Sequence, residues 1–543
     1  MGALTLKSFP FELRGWDIEK FESIDPTDGF GINTRVYISK QQIVQIEPDH
    51  SETTSKAWLS DKGRQFFDGI FGVWNSKSKS NKNIVLKKQS WQENLKTLIK
   101  TLYLFDHCNA KTKKAHFFTI IFENLGIETL SLLKVIEQKY SFIKLRRAEN
   151  LTMPNDLESD FQLNIAASSN MLKLSTLCLL IANNPRYEGY RLNLDLRQRY
   201  LKGNFKCLTL GSQINLTFPS VSIGTNLKVL KEIAEGNSFV CQDFKTAKNP
   251  MLVFGNEIHK RADGKNITKM VAALQAANTS SRTWNGINTL NSTLSETGMQ
   301  TIDSFSPLKE KDYGESSSFY LVNVNAQTIP NLRKLTEAKL LSYSGLNSAK
   351  QNNIYKLILD QNSQINSNQA FAQQFSKLEN STEYKFLPVK MFYENEETFI
   401  NTQGLIKRTN KLITRRKARE GWKLLRSLLK QFKNANISLN PEKNYSLSFN
   451  VTKQSNFANF INFQYCAVEK LDTTLPSLVV QNQAFFFQQT HNSFKQKPLK
   501  INKTKSKYWL DDFFTGGKDE YSRNSLVLAN CSKLTRSQST NFF

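Results

Sequence analysis

The segment LCLLIANNPRYEGYRLNLDLRQRYLKGNFKCLTLG, residues 177–211, reads as a strand, a helix and a second strand. Residues 177–182 and 207–211 are short apolar runs of strand length, and residues 187–201 between them have the length and pattern of a helix. Buried strands joined through helices are typical of a parallel sheet with right-handed crossovers. The segment therefore predicts an α/β domain.

The same alternation continues on both sides of this segment. Ser90 and Glu93 have the spacing of a capping box ahead of a helical pattern that runs to Leu102. Further elements follow with strand or helix periodicity. The predicted strands are 117–122, 251–255, 319–324 and 354–359, and the predicted helices are 125–140, 227–234 and 267–276. We expect an α/β fold of open, multi-layer and mostly parallel sheets.

A different pattern occupies the N-terminal stretch FESIDPTDGFGINTRVYISKQQIVQIEPDH, residues 21–50. Residues 34–38 and 43–46 are rich in β-formers, and Asp28-Gly29 and Gly31 supply turn residues. A small sheet of this kind often holds a metal cluster through cysteines in its turns. The first cysteine of the chain, however, is Cys108.

The charge balance is the strongest compositional signal. The 543 residues include 73 Lys and Arg against 47 Asp and Glu, a net charge of +26. Such an excess indicates either a nucleic-acid partner or acidic protein surfaces. Hydrophobic content of 39% supports globular cores, and no apolar run reaches the ~18 to 20 residues that a membrane helix needs.

Residues 407–433 concentrate this charge, with eleven basic residues and one acid, Glu420. Helical spacing predicts an apolar stripe of Trp422, Leu425, Leu429 and Phe432. Two interpretations remain open for this segment. It is either a core-packed helix with a solvated basic face, or a helix that binds RNA, a membrane surface or a protein partner.

No catalytic or ligand-binding motif stands out. No two of the six cysteines have C-x-x-C spacing. His107 and Cys108 are adjacent, which is too close for two ligands of one metal without a special turn. The loop 182–187 has no glycine to approach a phosphate, so a structural turn is favoured. Neither 28–31 nor 515–518 has the spacing of a nucleotide-binding loop. We predict no catalytic, cofactor-binding or metal-ligating residues.

Many short motifs nevertheless occur in one order along the chain. They include Glu22–Asp25, Asn33–Arg35, Trp58–Arg64 with Asp68 and Gly69, Asn184–Glu188, Ala247–Met251, Thr398–Gly404, Asp512–Phe514 and Cys531. As a set they resemble the 75 kDa iron–sulfur subunit of mitochondrial NADH:ubiquinone oxidoreductase, respiratory complex I. The central domain of that family is similar to molybdopterin oxidoreductases but lacks the molybdenum cofactor.

The resemblance implies three parts. Residues 1–74 would be a small β module like the cluster-holding module of molybdenum enzymes, without its ligands. Residues 75–435 would form a molybdopterin-oxidoreductase-like α/β domain without cofactor, and residues 436–543 a loop-rich extension. The family's ferredoxin-like region, which binds the clusters, would precede Met1, so we expect a split subunit.

The resemblance also implies a role. We expect a non-catalytic scaffold subunit in the matrix arm of the enzyme that transfers electrons from NADH to ubiquinone and translocates protons. Its expected partners are the cluster-bearing half of the subunit, the flavin subunit that binds NADH and other matrix-arm subunits. Iron–sulfur clusters and FMN are expected in those partners and no cofactor in this chain. Nucleic acid is not an expected partner.

The expected location is the matrix side of the mitochondrial inner membrane, without a membrane span and with the gene in the mitochondrial genome. Two alternatives have different consequences. An active molybdopterin or iron–sulfur oxidoreductase would contain molybdenum or iron, and an RNA-associated mitochondrial protein would bind RNA through residues 407–433.

Overall fold

The computed structural model describes residues 13–50, 58–75, 117–149, 169–211, 214–255, 258–278, 286–302, 305–324, 329, 340–345, 383–390, 392–414, 419–434 and 525–540. Within these ranges the strands are β1 (Glu19–Ile24), β2 (Asn33–Ser39), β3 (Gln42–Pro48), β4 (Phe117–Phe122), β5 (Ile143–Arg147), β6 (Leu177–Ile181), β7 (Lys206–Leu210), β8 (Val221–Gly224), β9 (Met251–Gly255), β10 (Ile287–Leu290), β11 (Ser316–Val322), β12 (Leu340–Gly345), β13 (Glu383–Pro388), β14 (Thr398–Ile400) and β15 (Ile406–Arg408).

The α-helices of the same ranges connect or cover these strands. They are α1 (Asp61–Asn75), α2 (Ile127–Lys139), α3 (Ser169–Leu174), α4 (Pro185–Glu188), α5 (Tyr190–Leu201), α6 (Val229–Ala234), α7 (Cys241–Thr246), α8 (Gly264–Asn278), α9 (Glu296–Ile302), α10 (Glu310–Glu315), α11 (Gly421–Asn434) and α12 (Leu526–Thr540). Among the described helices, none is both long enough and apolar enough to span a bilayer.

The N-terminal module is an antiparallel sheet in the order β1-β2-β3, as the sequence predicts. The hairpin between β2 and β3 turns at Lys40 and Gln41, whose φ angles of 47° and 62° are those of a type I′ turn. Strand residues Val36 and Ile46 are fully buried and pack with Phe66 of α1. The same core includes Tyr393 and Ile413, so the module shares its core with a segment far along the chain.

Two five-stranded sheets follow, and every described neighbour pair within them is parallel. The first has the order β13-β12-β11-β4-β5 and the second the order β10-β9-β6-β7-β8. The chain makes β4 and β5, leaves to build the whole second sheet, and returns with β11 to β13. The predicted multi-layer α/β fold is confirmed.

The individual elements also agree well with their predictions. The predicted strands 117–122 and 251–255 are β4 and β9, and the predicted strands 177–182 and 207–211 agree with β6 and β7 to within one residue at each end. The middle residues of all four strands are buried. The predicted strand 354–359 lies outside the described residues, as does the capping box near residue 90.

The helix predicted at 187–201 is wrong in one respect, because the structure breaks it at Gly189 into α4 and α5. A Cβ atom at Gly189 would lie 2.7 Å from the Phe30 ring and 2.8 Å from Leu290. Phe30 belongs to the N-terminal module. A distant segment therefore packs against the helix at this point, and only glycine leaves room for it.

Helix α11 packs on the first parallel sheet through a stripe that differs from the predicted one. Leu424, Leu425 and Leu428 are almost fully buried and join the core cluster that contains Leu130 and Leu133 of α2. The predicted stripe of Trp422, Leu425, Leu429 and Phe432 is therefore displaced around the helix: Trp422 and Leu429 are half-buried. The side chain of Phe432 lies outside the described part.

Helix α12 occupies a part of the chain where the sequence predicts loops. The Asp68 carboxylate of α1 accepts hydrogen bonds from the Ser525 hydroxyl and the Val527 amide, each at 3.2 Å. These bonds cap the first turn of α12 and tie it to the N-terminal module. The domain boundaries at 74 and 435 stay predictions.

Candidate functional site

Ligand sites in open α/β sheets lie at the carboxyl ends of strands, where the strand order reverses. Both parallel sheets have such a point. In the second sheet β6 and β9 are neighbours, but the chain continues from β6 to β7 on one side and from β9 to β10 on the other. In the first sheet the equivalent pair is β4 and β11. We call these places the β6/β9 crevice and the β4/β11 crevice.

The β6/β9 crevice is bridged by the loop that follows β6. Ala182 begins this loop with a φ of 48°. The side-chain amide of the buried Asn183 donates a 3.2 Å hydrogen bond to the Val253 carbonyl of β9. The Asn184 side chain then accepts from the Arg186 amide at 3.2 Å and caps α4. These contacts place a turn and a side-chain bridge where a phosphate cradle would have open backbone N–H groups.

The β4/β11 crevice is bridged in the same manner. Asn124 follows β4 and Asn323 follows β11, and both adopt the left-handed conformation, which asparagine tolerates. The Asn323 side-chain amide donates to the Asn124 backbone carbonyl at 2.9 Å. The Ser295 hydroxyl donates to the Asn124 side-chain oxygen at 3.1 Å. An asparagine from each strand end therefore closes this crevice, and the segment before α9 covers it.

Three distant segments meet beside these crevices, and we call this meeting point the three-way junction. Its segments are the turn 28–31 of the N-terminal module, residues 291–297 after β10, and residues 401–405 between β14 and β15. The Thr402 amide and hydroxyl both donate to the Gly29 carbonyl at 2.8 Å. A side chain at Gly29 would collide with the Asn291 carbonyl oxygen and the Thr402 hydroxyl.

Asn401 holds the same turn from its other end. Its side-chain amide donates to the Phe30 carbonyl at 3.0 Å, and its side-chain oxygen accepts from the Gln403 and Leu405 amides at 3.0 and 2.8 Å. Asn401 is almost fully buried. It therefore shapes its own loop and clamps the N-terminal module with one side chain.

Removal of the Asn401 side chain is expected to loosen the junction. Asn401→Ala would leave the buried Phe30 carbonyl without this donor, at a cost of about 2 kcal/mol. Asn410→Ala, which removes an exposed 3.0 Å bond to the Glu22 carbonyl, is the matched control and should cost less than about 0.5 kcal/mol. The midpoints of urea unfolding of the two variants test this difference, and equal midpoints would contradict the clamping role.

Two buried carboxyls, Asp25 and Asp28, lie at the start of the turn 28–31 and just before it. Asp25 accepts from the Thr27 amide and Asp28 from the Phe30 amide, both at 2.9 Å. Burial, followed by the charge of the neighbouring Asp25, raises the pKa of Asp28 to about 8, against the lowering effects of its backbone hydrogen bonds and of Lys62. Burial and these two carboxyls also raise the pKa of Tyr190. Buried carboxyls of the module thus lie close to Tyr190 of α5.

A second carboxyl cluster lies between α2, α11 and the β14–β15 hairpin. The Glu128 carboxylate accepts from the Thr398 amide at 3.0 Å, and Glu397 accepts from the Asn395 side chain at 2.6 Å. Burial, followed by the charge of Glu128, raises the pKa of Glu397 to about 8. Glu420 is held by Lys390 at 2.8 Å. These groups join the hairpin to the first parallel sheet.

The other candidate residues of the sequence are dispersed. The basic segment splits into β15 and α11, and its residues 415–418 lie outside the described part, as do His107, Cys108 and the segment 515–518. Lys423, Arg426 and Lys430 form an exposed basic row along α11. Sequence reasoning missed the three-way junction, because its segments are far apart in the chain: Phe30 and Asn401 are separated by 371 residues.

These features agree with the family comparisons. The molybdopterin oxidoreductase model matches residues 82–431, and the chain belongs to this family. A second model, the NADH-ubiquinone oxidoreductase NDSU1/NuoG-like 4Fe-4S domain, matches residues 18–68.

Curated relatives make the likeness more specific. The chain is 26% identical over 450 residues to the NADH-ubiquinone oxidoreductase 75 kDa subunit of Reclinomonas americana, which covers 79% of this chain and 59% of that protein. It is 25% identical over 437 residues to the mitochondrial NADH dehydrogenase [ubiquinone] iron-sulfur protein 1 of Solanum tuberosum, covering 79% and 53%. The chain thus spans a little over half the length of these relatives.

Among solved structures, the formyltransferase/hydrolase complex of Methylorubrum extorquens is similar with a TM-score of 0.41 and 10% identity, covering 62% of this chain and 97% of that one. A likeness this weak bears on neither the fold nor the function.

The 4Fe-4S match contradicts one prediction. We expected no cofactor in this chain, and residues 18–68 match a domain family named for its cluster. The residues at hand do not provide the usual ligands, because clusters are held by cysteine thiolates and residues 18–68 contain no cysteine. Across the part that the structure describes, no group of three or more His, Cys, Asp or Glu side chains could hold a metal ion. We therefore derive no step through a cluster.

The family name also implies a molybdopterin, and the same test applies to it. The crevices that would receive the cofactor are bridged by Asn183 in one sheet and by Asn124 and Asn323 in the other. These residues do not fit a bound pterin at either place, and no step is derived through one.

Proposed function

We propose that this chain is a structural subunit in the peripheral arm of respiratory complex I, the enzyme that transfers electrons from NADH to ubiquinone. The names of its curated relatives support the assignment to this enzyme. The observation that carries the structural role is the bridging of both crevices together with the clamped three-way junction. An enzyme fold whose ligand crevices are filled by its own side chains serves as a rigid frame.

The proposed partners are the subunits that carry electrons through this arm. They include the flavin subunit that binds NADH and the subunits that hold iron–sulfur clusters. The exposed basic row of Lys423, Arg426 and Lys430 supports contacts with acidic neighbouring surfaces, which would favour correct pairing more than tight binding. The finer prediction, that a separate polypeptide carries the cluster-binding half of this subunit, stays a prediction.

The proposed location is the matrix side of the mitochondrial inner membrane, and the name of the Solanum tuberosum relative supports the mitochondrial part. Encoding in the mitochondrial genome is part of the proposal. Sequencing of DNA from purified mitochondria tests it, and a nuclear gene with a targeting sequence would contradict it.

Native electrophoresis of mitochondrial membranes solubilised in mild detergent tests the function. We expect peptides of this chain to migrate in the band that stains for NADH dehydrogenase activity, together with flavin-subunit peptides. Migration of the chain in fractions without that activity would contradict the proposal. Ribonuclease treatment is a useful control, because a shift of the chain on RNA removal would favour the RNA-binding alternative.

A further inference from the structure

Two cysteines that are far apart in the sequence face each other in the second parallel sheet. Cys178 lies on β6 and Cys207 on β7, and they are direct register partners in this parallel pair. Both are buried and both are free thiols. We propose that Cys178 and Cys207 form a dithiol site that a two-electron thiol oxidant, such as a peroxide, converts into a reversible disulfide between the strands.

The geometry of the sheet supports closure of this bond. Neighbouring strands lie about 4.7 to 4.9 Å apart, and this spacing falls within the Cα separations of about 4.4 to 6.8 Å found in disulfides. Register partners in a parallel pair point to the same face, so no backbone rotation is needed to bring the sulfurs together. Both side chains belong to one apolar cluster with Phe30 and Leu192, which fixes their direction.

The same geometry predicts that the bond is easily reduced. Disulfides have Cβ atoms about 3.5 to 4.5 Å apart, which is somewhat closer than the strand spacing, so the strands must draw together slightly. Strained disulfides are the labile and regulatory ones. Burial also raises the pKa of Cys178, so the thiol stays protonated and reacts only when the sheet opens locally to admit a small oxidant.

The reaction balances with the peroxide as the oxidant. One thiolate attacks the peroxide and becomes a sulfenic acid as the O–O bond breaks and one water leaves. The second thiol then attacks the sulfenic sulfur, the S–S bond forms and another water leaves. Two electrons and two protons from the thiols thus reduce one hydrogen peroxide to two waters.

Treatment of the reduced full-length chain with hydrogen peroxide tests the site. After acid quenching, unfolding and alkylation, we expect the loss of two of the six alkylatable thiols. Tryptic digestion should yield the Cys178 and Cys207 peptides joined by a disulfide, and dithiothreitol should restore both thiols. Cys207→Ser should abolish the joined peptide, and Cys241→Ser, on a half-buried cysteine of α7, should leave it unchanged.

A second experiment makes both thiols accessible to the oxidant, although they are buried in the folded chain. Refolding the chain in a glutathione redox buffer exposes both thiols before the sheet closes, and we expect the same joined peptide. Full alkylation of both cysteines in both arms would overturn the proposal. Disulfides that join either cysteine to other positions, or glutathione adducts in place of the internal bond, would overturn it equally.

Discussion

Gly29→Ala is expected to destabilise the three-way junction by about 3 to 5 kcal/mol, because the added methyl group collides with two fixed atoms. One of these is the Asn291 backbone carbonyl oxygen, and the other is the hydroxyl of Thr402. The hydroxyl and amide of Thr402 both bond to the Gly29 carbonyl, so Thr402 cannot move away without losing that contact. The turn 28–31 must therefore leave its place between the other two segments.

The change should appear as a lower unfolding midpoint and as faster hydrogen exchange at the Thr402 amide, which loses its acceptor. Gly15→Ala is the matched control, because nothing lies within 4 Å of a Cβ atom at Gly15. We expect this control to shift stability by less than about 0.5 kcal/mol. If Gly29→Ala behaved like Gly15→Ala, the three segments would not be packed as described.

Asp28→Asn is expected to weaken the decline of stability with pH that the native chain has, leaving the share that comes from Glu397. The folded state raises the pKa of Asp28 from 3.8 to about 8, so between these values the folded chain keeps a proton that the unfolded chain has lost. The stability that depends on protonated Asp28 is therefore fully present below about pH 4 and is lost as the pH rises through 8. The loss is on the order of 5 kcal/mol over this window.

Asparagine keeps the acceptor for the Phe30 amide and carries no charge at any pH, so the variant should be more stable than the native chain at pH 8 and about equal at pH 4. Unfolding midpoints measured at several pH values between 4 and 8 test this. Asp17→Asn, at an exposed carboxyl, is the control and should leave the pH profile unchanged. A native profile that rises with pH over this window would contradict the burial of a protonated Asp28.

The strands were predictable from the sequence because their physical signal is local. The runs that became β4, β6 and β9 are apolar except for Thr119 of β4, as strands buried on both faces require. The absence of glycine in the loop 182–187 likewise indicated a structural turn. The Asn183 bridge that fills the crevice was not predictable, because its acceptor on β9 lies 70 residues away.

The junction could not be predicted for the same reason. Nothing near Gly29 in the sequence indicates that Thr402 will reach its carbonyl, and nothing near Gly189 indicates that Phe30 will break the helix there. The pairing of Cys178 with Cys207 depends on the register of two parallel strands, which apolar patterns leave open. The displaced stripe of α11 has a related cause, because its position depends on α2 rather than on its own spacing.

The central claim is that this chain is a stoichiometric structural member of complex I. Affinity purification through a tag on this chain, followed by quantitative mass spectrometry and an assay of NADH:ubiquinone reductase activity, tests it most directly. We expect the flavin subunit in a ratio near one to one with this chain, and activity that copurifies with both. Recovery of the chain without the flavin subunit and without that activity would contradict the claim.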